Sequence, residues 1–233
     1  MAMKKASLAF LILFLSSLIM GCVHAPQVNQ PDRRQEGLGY FHRDGSINWD
    51  ADEAQIDMIV IHHSAMKSDA SWKEISDLQK ETLYRPRYES LDPEPYLKGQ
   101  EPHSGHFRAI GDELIEVFYA YQWLIRPDGK SERLLLDKDV GWQAGNWKVN
   151  CRSVAICFAG DFTFGQPTEQ ATDACASLIA DYIKKFPAIK LEANVIGHNE
   201  VNKKTICPGN EFLGPGGWKE ALIKKTLELL NKS

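Results

Sequence analysis

Four residues in two distant stretches combine the donor types of a metal site. Met58-Ile59-Val60-Ile61 is an apolar run that ends in His62 and His63. Far along the chain, Val195-Ile196-Gly197 leads into His198, and Cys207 follows at the head of a Cys207-Pro208-Gly209 turn. Two imidazoles and a thiolate suffice to hold Zn²⁺ with a fourth position open for water, which separates a hydrolytic zinc from a structural one. A cation against the sulfur also deprotonates it. Neighbouring residues on a strand point to opposite faces, so at most one of His62 and His63 belongs to such a site. If the two stretches meet, the chain reads as a zinc hydrolase. The His-Glu-x-x-His helix of many zinc peptidases does not occur in the sequence.

The elements that carry these residues follow from pattern. Four consecutive apolar residues at Met58–Ile61 predict a strand buried on both faces. Ser71, followed three residues later by Glu74, is a capping box, and Trp72, Ile75, Leu78 and Leu83 mark one face of the helix it opens. Between Tyr84 and Phe107 the period dissolves into Pro86, Pro93, Pro95, Pro102 and many charges. This reads as an inserted loop around 84–107, of the kind that lines binding sites. Tyr119–Ile125 predicts a second strand, which Pro127-Asp128-Gly129 turns into a hairpin partner at Glu132–Leu136. Ser153–Phe158 predicts a further strand, Thr168–Phe186 a long amphipathic helix, Asn194–Gly197 a short strand and Trp218–Leu230 a closing helix. Strands alternating with helices predict an α/β fold, a single domain with a mixed central β-sheet flanked by α-helices.

Four islands in this frame carry a resemblance: IVIHHSA at 59–65, YAYQWLIRPDG at 119–129, NCRSVAICFAGDF at 150–162 and GHNEVNKKTICPG at 197–209. In this order they resemble the zinc-dependent N-acetylmuramoyl-L-alanine amidases of the type-2 class, relatives of phage amidase lysozymes and animal peptidoglycan recognition proteins. The resemblance spans Asp57 to Leu230. It implies one zinc ion on His62, His198 and Cys207, since the family's ligand is the first histidine after the apolar strand. It implies Tyr121 facing the metal's water and Thr205 beside the developing oxyanion. The span from His198 to Cys207 is one residue longer than in family members, so Lys204 or Lys203 stands as the alternative to Thr205. Substrate contacts fall on Gln122, Trp142, Gln143 and Lys204. Many relatives carry histidine where Gln122 and Gln143 stand, and an amide can hydrogen-bond but cannot act as an acid or base near neutral pH. His106 reads either as a replacement for a groove histidine or, more plainly, as an exposed loop residue. The implied reaction is hydrolysis of the amide between N-acetylmuramic acid and L-alanine in peptidoglycan or muropeptides. A second reading is a peptidoglycan-binding module that no longer cleaves, and retention of Cys207 and Tyr121 speaks against it.

The ends and the composition bound the rest. Residues 1–21 combine Lys4 and Lys5 with an apolar run from Leu8 to Met20 that is too short to span a bilayer. Ile19-Met20-Gly21-Cys22 resembles a bacterial lipobox, which implies cleavage before Cys22 and lipidation there. The expected organisation is a signal peptide at 1–21, a lipidated cysteine and polar tether at 22–56, and a catalytic domain at 57–233. Val23, rather than an inner-membrane retention Asp, favours an outer-membrane anchor facing the periplasm. Removing residues 1–21 takes away two lysines and no acid, which moves the formal charge from −4 to −6. An acidic balance argues against nucleic acid as a partner, and a monomer is expected. Besides Cys22 and Cys207 there are Cys151, Cys157 and Cys175. Cys157 lies in an apolar run, and a Cys151–Cys175 or Cys157–Cys175 disulfide is compatible with an oxidising compartment. Cys22→Ser should move the protein from the membrane to the soluble fraction and abolish labelling by a fatty-acid analogue. Unchanged fractionation would remove the lipid anchor from this account.

Overall fold

The computed structural model describes residues 50, 53–86, 102 and 104–232; the expected signal peptide at 1–21, Cys22, most of the expected tether and residues 87–101 of the expected insertion lie outside them. A five-stranded sheet forms the centre, in the order β5-β4-β6-β1-β7. Its strands are β1 (Met58–His63), β4 (Trp123–Ile125), β5 (Ser131–Arg133), β6 (Ser153–Phe158) and β7 (Val195–Gly197). β1 runs parallel to both β6 and β7, β4 runs parallel to β6, and β5 closes the edge antiparallel to β4. This is the mixed sheet that the alternation of elements predicts.

Strand side chains alternate between two layers. Ile59 and Ile61 of β1 and Val154, Ile156 and Phe158 of β6 face α3 (Glu169–Lys185) and α6 (Trp218–Asn231) in the larger core. The predicted stripe of α3 delivers Ala171, Cys175, Ile179 and Tyr182 to that core, with Thr168 as its N-cap. Short helices α2 (Trp147–Asn150), α4 (Leu191–Asn194) and α5 (His198–Val201) join the strands. On the other face, Leu124 and Cys157 pack with Ile75, Val117 and Tyr119. Among the described residues no helix is long and apolar enough to cross a membrane.

α1 (Trp72–Gln79) starts at the predicted capping box: the Ser71 hydroxyl accepts from the Glu74 N–H at 3.2 Å, and Glu74 accepts from the Ser71 N–H at 2.7 Å. Its buried face differs from the expected stripe. Ile75 is buried with Ser76 and Gln79, whereas Leu78 is 42% exposed. The polar pair is buried because it serves a neighbouring backbone. Ser76 Oγ accepts from the Phe118 N–H at 2.9 Å, and Gln79 Oε1 accepts from the Ala120 N–H at 2.9 Å. The helix then continues as far as the expected Leu83, with Lys80–Tyr84 as a π-helical segment. Fully buried Tyr84 donates its hydroxyl to the Tyr119 carbonyl at 2.9 Å. These three bonds explain why no strand forms at 119–122: the backbone there is held by helix side chains, and the strand begins only at Trp123.

Two further expectations change. Phe107–Ile110 (β2) and Glu113–Glu116 (β3) form a separate antiparallel hairpin inside and just beyond the presumed loop. Cys157, Cys175 and Cys207 are buried free thiols, so neither proposed disulfide forms.

Segment 118–121 also leans on Gly141. A Cβ at that position would lie 2.1 Å from the Ala120 carbonyl oxygen, a backbone atom that cannot step aside. Gly141→Ala should therefore destabilise the protein by about 1–3 kcal/mol, as overpacking does, read as a lowered urea midpoint at unchanged m-value.

Candidate metal centre

The site sits at the carboxyl ends of the central parallel strands. Ile61 pairs with Gly197 across β1 and β7, so the next residues along, His62 and His198, fall side by side. Their ring centroids are 4.8 Å apart. Gly197 permits the close approach of Phe212 to β7, since a Cβ there would meet that ring at 2.5 Å. The 202–209 turn brings Cys207 back over the strand ends. Side-chain donor atoms of His62, His198 and Cys207 then lie within 4.8 Å of one another.

The donors suit a tetrahedral ion. Zn–S bonds of about 2.3 Å and Zn–N bonds of about 2.0–2.1 Å at the tetrahedral angle separate sulfur from nitrogen by about 3.6 Å. Cys207 Sγ lies 3.6 Å from His62 Nδ1. His62 Nε2 is 2.6 Å from Gln143 Oε1, and the Gln143 amide N–H donates to Ser153 Oγ at 2.8 Å. Gln143 therefore takes the proton on Nε2 and leaves the Nδ1 lone pair facing Cys207. In His198 the other nitrogen is the one prepared: Nε2 is buried without a partner. An orphaned buried nitrogen in a well-packed protein calls for a ligand.

The electrostatics match neutral imidazoles. Burial, followed by the neighbouring His198, drives the pKa of His62 well below its usual range, against a smaller upward pull from Gln143. Burial also lowers His198, against an upward pull from the Ala144 backbone. The Cys207 thiol is pushed up to about 12 by burial, while the His63 N–H, 3.4 Å from the sulfur, pulls the other way. A cation would supply the charge that favours the thiolate.

His63 points to the opposite face, where its Nδ1 accepts from the Phe162 N–H at 2.9 Å. Half-buried Tyr121 lies against His62, ring centroids 5.0 Å apart. Burial, then Cys157 and Cys207, raise its pKa well above the phenol range, so the hydroxyl keeps its proton. Thr205 Oγ1 accepts from the Cys207 N–H at 3.1 Å and retains its own proton to donate. Lys203 and Lys204 are exposed. A cavity of about 510 Å³ opens beside His198, walled by Leu83, Trp142, Gln143, Asn146 and Trp147. Trp142 stacks on Tyr84 at 4.7 Å and 8°.

Three expected roles are corrected. Gln122 is 1% exposed, accepts from the Ala155 N–H at 2.8 Å and donates to the Asp139 carbonyl at 2.7 Å, so it is core rather than a substrate contact. Gln143 borders the cavity, but both ends of its amide are engaged on His62 and Ser153. His106 is 2% exposed and bonds Asp50 at 3.2 Å, which makes it neither a groove residue nor an exposed one. Asp50, His106 and Asp139 also cluster within 4.8 Å. There the carboxylates cap backbone N–H groups, Asp50 at Val140 and Asp139 at Leu136. Sequence reasoning missed Gln79, Cys157 and Ser153 as neighbours of the site; polar residues in a helix or strand carry no signal of their partners.

With the geometry in place, comparison with known proteins is informative. A profile of the family described as N-acetylmuramoyl-L-alanine amidase matches residues 52–210, more than half of the chain. The chain belongs to this family. Its fold is similar to that of the endolysin amidase LysCS from Clostridium intestinale URNW, with 21% identity, 78% of this chain and 87% of that one covered, and a TM-score of 0.50. It is likewise similar to the Ph2119 endolysin from the Thermus scotoductus MAT2119 bacteriophage, with 19% identity, 74% and 86% covered, and a TM-score of 0.50. No curated protein matches the chain.

Loss of the His62 partner is testable. Gln143→Ala should weaken zinc binding about 10- to 100-fold, the usual cost of removing a group that orients a ligand. Competition against a chromogenic chelator would read it, and unchanged affinity would strip Gln143 of this role.

Proposed function

We propose that this protein is a zinc-dependent N-acetylmuramoyl-L-alanine amidase. It hydrolyses the amide between N-acetylmuramic acid and L-alanine in peptidoglycan or muropeptides. The observation that carries this reading is the trio His62, His198 and Cys207, spaced for a tetrahedral ion, with His198 bordering a cavity of about 510 Å³. Family membership and the fold shared with a solved endolysin amidase support it. A bound zinc ion supplies Lewis acidity toward a carbonyl and acidifies a water, which makes hydrolysis feasible near neutral pH.

The remaining work falls to the protein. Gln143 holds the His62 imidazole in the tautomer that coordination requires. Tyr121, protonated across the physiological range, orients the attacking water and relays a proton as the amine of L-alanine departs. Thr205 donates its free proton to the oxyanion that develops on the lactyl carbonyl. Trp142 and Trp147 offer flat apolar surface to sugar or peptide in the cavity. Anchored through a lipid on Cys22 in the outer membrane, a monomer facing the periplasm would reach its substrate in place.

A non-hydrolytic peptidoglycan binder on the same fold is the competing reading, and the complete donor set favours the enzyme. Incubation with purified sacculi, with and without a chelator, separates them by the mass of the products. Release of stem peptides with a free L-alanine amino terminus, lost on chelation, is the expected result. Sacculi left intact with protein bound would establish the binder, and cuts within the stem would indicate a peptidase.

A further inference from the structure

A line of hydrogen bonds leads away from His62 and ends on a backbone carbonyl. His62 Nε2 lies 2.6 Å from Gln143 Oε1, and the Gln143 amide N–H donates to Ser153 Oγ at 2.8 Å. The Ser153 hydroxyl in turn donates to the Val149 carbonyl at 2.6 Å. His62 is fully buried, and Gln143 and Ser153 are each 5% exposed, so these groups must find their partners within the protein. The direction of the line is set at its far end. A carbonyl can only accept, so Ser153 must give Val149 its single hydroxyl proton. Only lone pairs are then left to turn toward Gln143, which must present its NH₂ end to Ser153 and its Oε1 to His62. An acceptor against Nε2 keeps the ring proton there and leaves Nδ1 with a lone pair, 3.6 Å from Cys207 Sγ.

The opposite order fails at two points. A flipped amide would set its carbonyl oxygen against the lone pairs of Ser153. It would also draw the ring proton onto Nδ1, between the imidazole and the sulfur, where an ion has to bind. Secondary structure holds the far end still. The Val149 carbonyl of α2 also accepts from the Arg152 N–H at 3.2 Å, across the turn into β6. Ser153 opens β6 and, by strand alternation, shares a face with Cys157, whose register partner is His62. From the same short helix, Asn150 Oδ1 accepts from the Ala144 N–H at 2.9 Å and steadies the backbone next to Gln143.

We propose that Ser153 is a positioning residue that, through Gln143, selects the Nε2–H tautomer of His62 and so prepares Nδ1 for the metal. The proposal rests on the reading of His62 as a zinc ligand. A serine that only joined α2 to β6 would need its bond to Val149 and no other. The second bond, to Gln143, is the one that reaches the metal centre.

The tautomer can be read in the metal-free full chain from the ¹⁵N shifts of labelled histidine, with His62 assigned by the signals lost in His62→Ala. In the unmodified chain His62 should be a single Nε2–H tautomer near neutral pH. Finding Nδ1–H there would overturn the proposal whatever the variants do. Ser153→Ala should convert the ring to a mixture of both tautomers, because the amide loses the partner that tells its two ends apart. A single unchanged tautomer in that variant would sink the proposal. Zn²⁺ affinity, read by competition against a chromogenic chelator, should fall about fivefold in Ser153→Ala, the size of one lost hydrogen bond. When position 143 is already alanine, the same substitution should change affinity less than twofold, because the group it acts through has gone. Equal losses in both backgrounds would reduce Ser153 to a fold residue and overturn its positioning role. The expected tautomers in a chain that takes up no Zn²⁺ would instead count against the zinc reading alone.

Discussion

The pairing register of β1 with its two parallel neighbours is the constraint from which the site follows. With Ile61 opposite Gly197 and His62 opposite Cys157, one imidazole lands next to the first residue after β7 and above a thiol on β6. A slip of one residue would exchange His62 for His63 and send the ligand to the helix-covered face. That slip is opposed by Ile59 and Ile61, which would have to leave the larger core. Hydrophobic burial on one side of the sheet thereby selects which histidine joins the candidate metal centre on the other.

Around this register, three buried glutamines do the joining. Gln122 ties β6 to the 139 region, Gln143 ties His62 to Ser153, and Gln79 ties α1 to Ala120. Gln122 and Gln143 use both ends of their amides, so neither leaves a desolvated group unpaired. An amide can bridge a donor and an acceptor, which a carboxylate or an ammonium cannot. The chain therefore fixes its loops with neutral groups and adds no net charge near the ligands.

Much of this was legible in the sequence because it rests on local pattern. The apolar runs at Met58–Ile61 and Ser153–Phe158, the Ser71–Glu74 box and the stripe of Glu169–Lys185 depend on near neighbours, and they formed as expected. Tyr119–Ile125 looked equally strand-like by alternation, yet its first half is claimed by Ser76, Gln79 and Tyr84, a contact between elements about 40 residues apart that pattern does not encode. The β2–β3 hairpin was missed although Gly111, in the left-handed region at φ 61°, and Asp112 make a two-residue turn signal. Its exposed Ile110, Leu114 and Ile115 blur the alternation that would have marked it. His106 and Gln143 were assigned by residue type, and their partners Asp50 and His62 lie too far along the chain to be inferred.

The end of β1 holds Cys207 in two ways: the His62 ring stands 3.6 Å from the sulfur, and the His63 N–H points at it from 3.4 Å. Thr205 fixes the same turn from behind through the Cys207 N–H. The thiol is thus held by the backbone of the sheet. In small zinc modules the ion gathers its ligands and the fold collapses without it. Here the register of β1 and the bond to Thr205 share that ordering, so the ligand cluster is built into the sheet and not assembled by an ion alone.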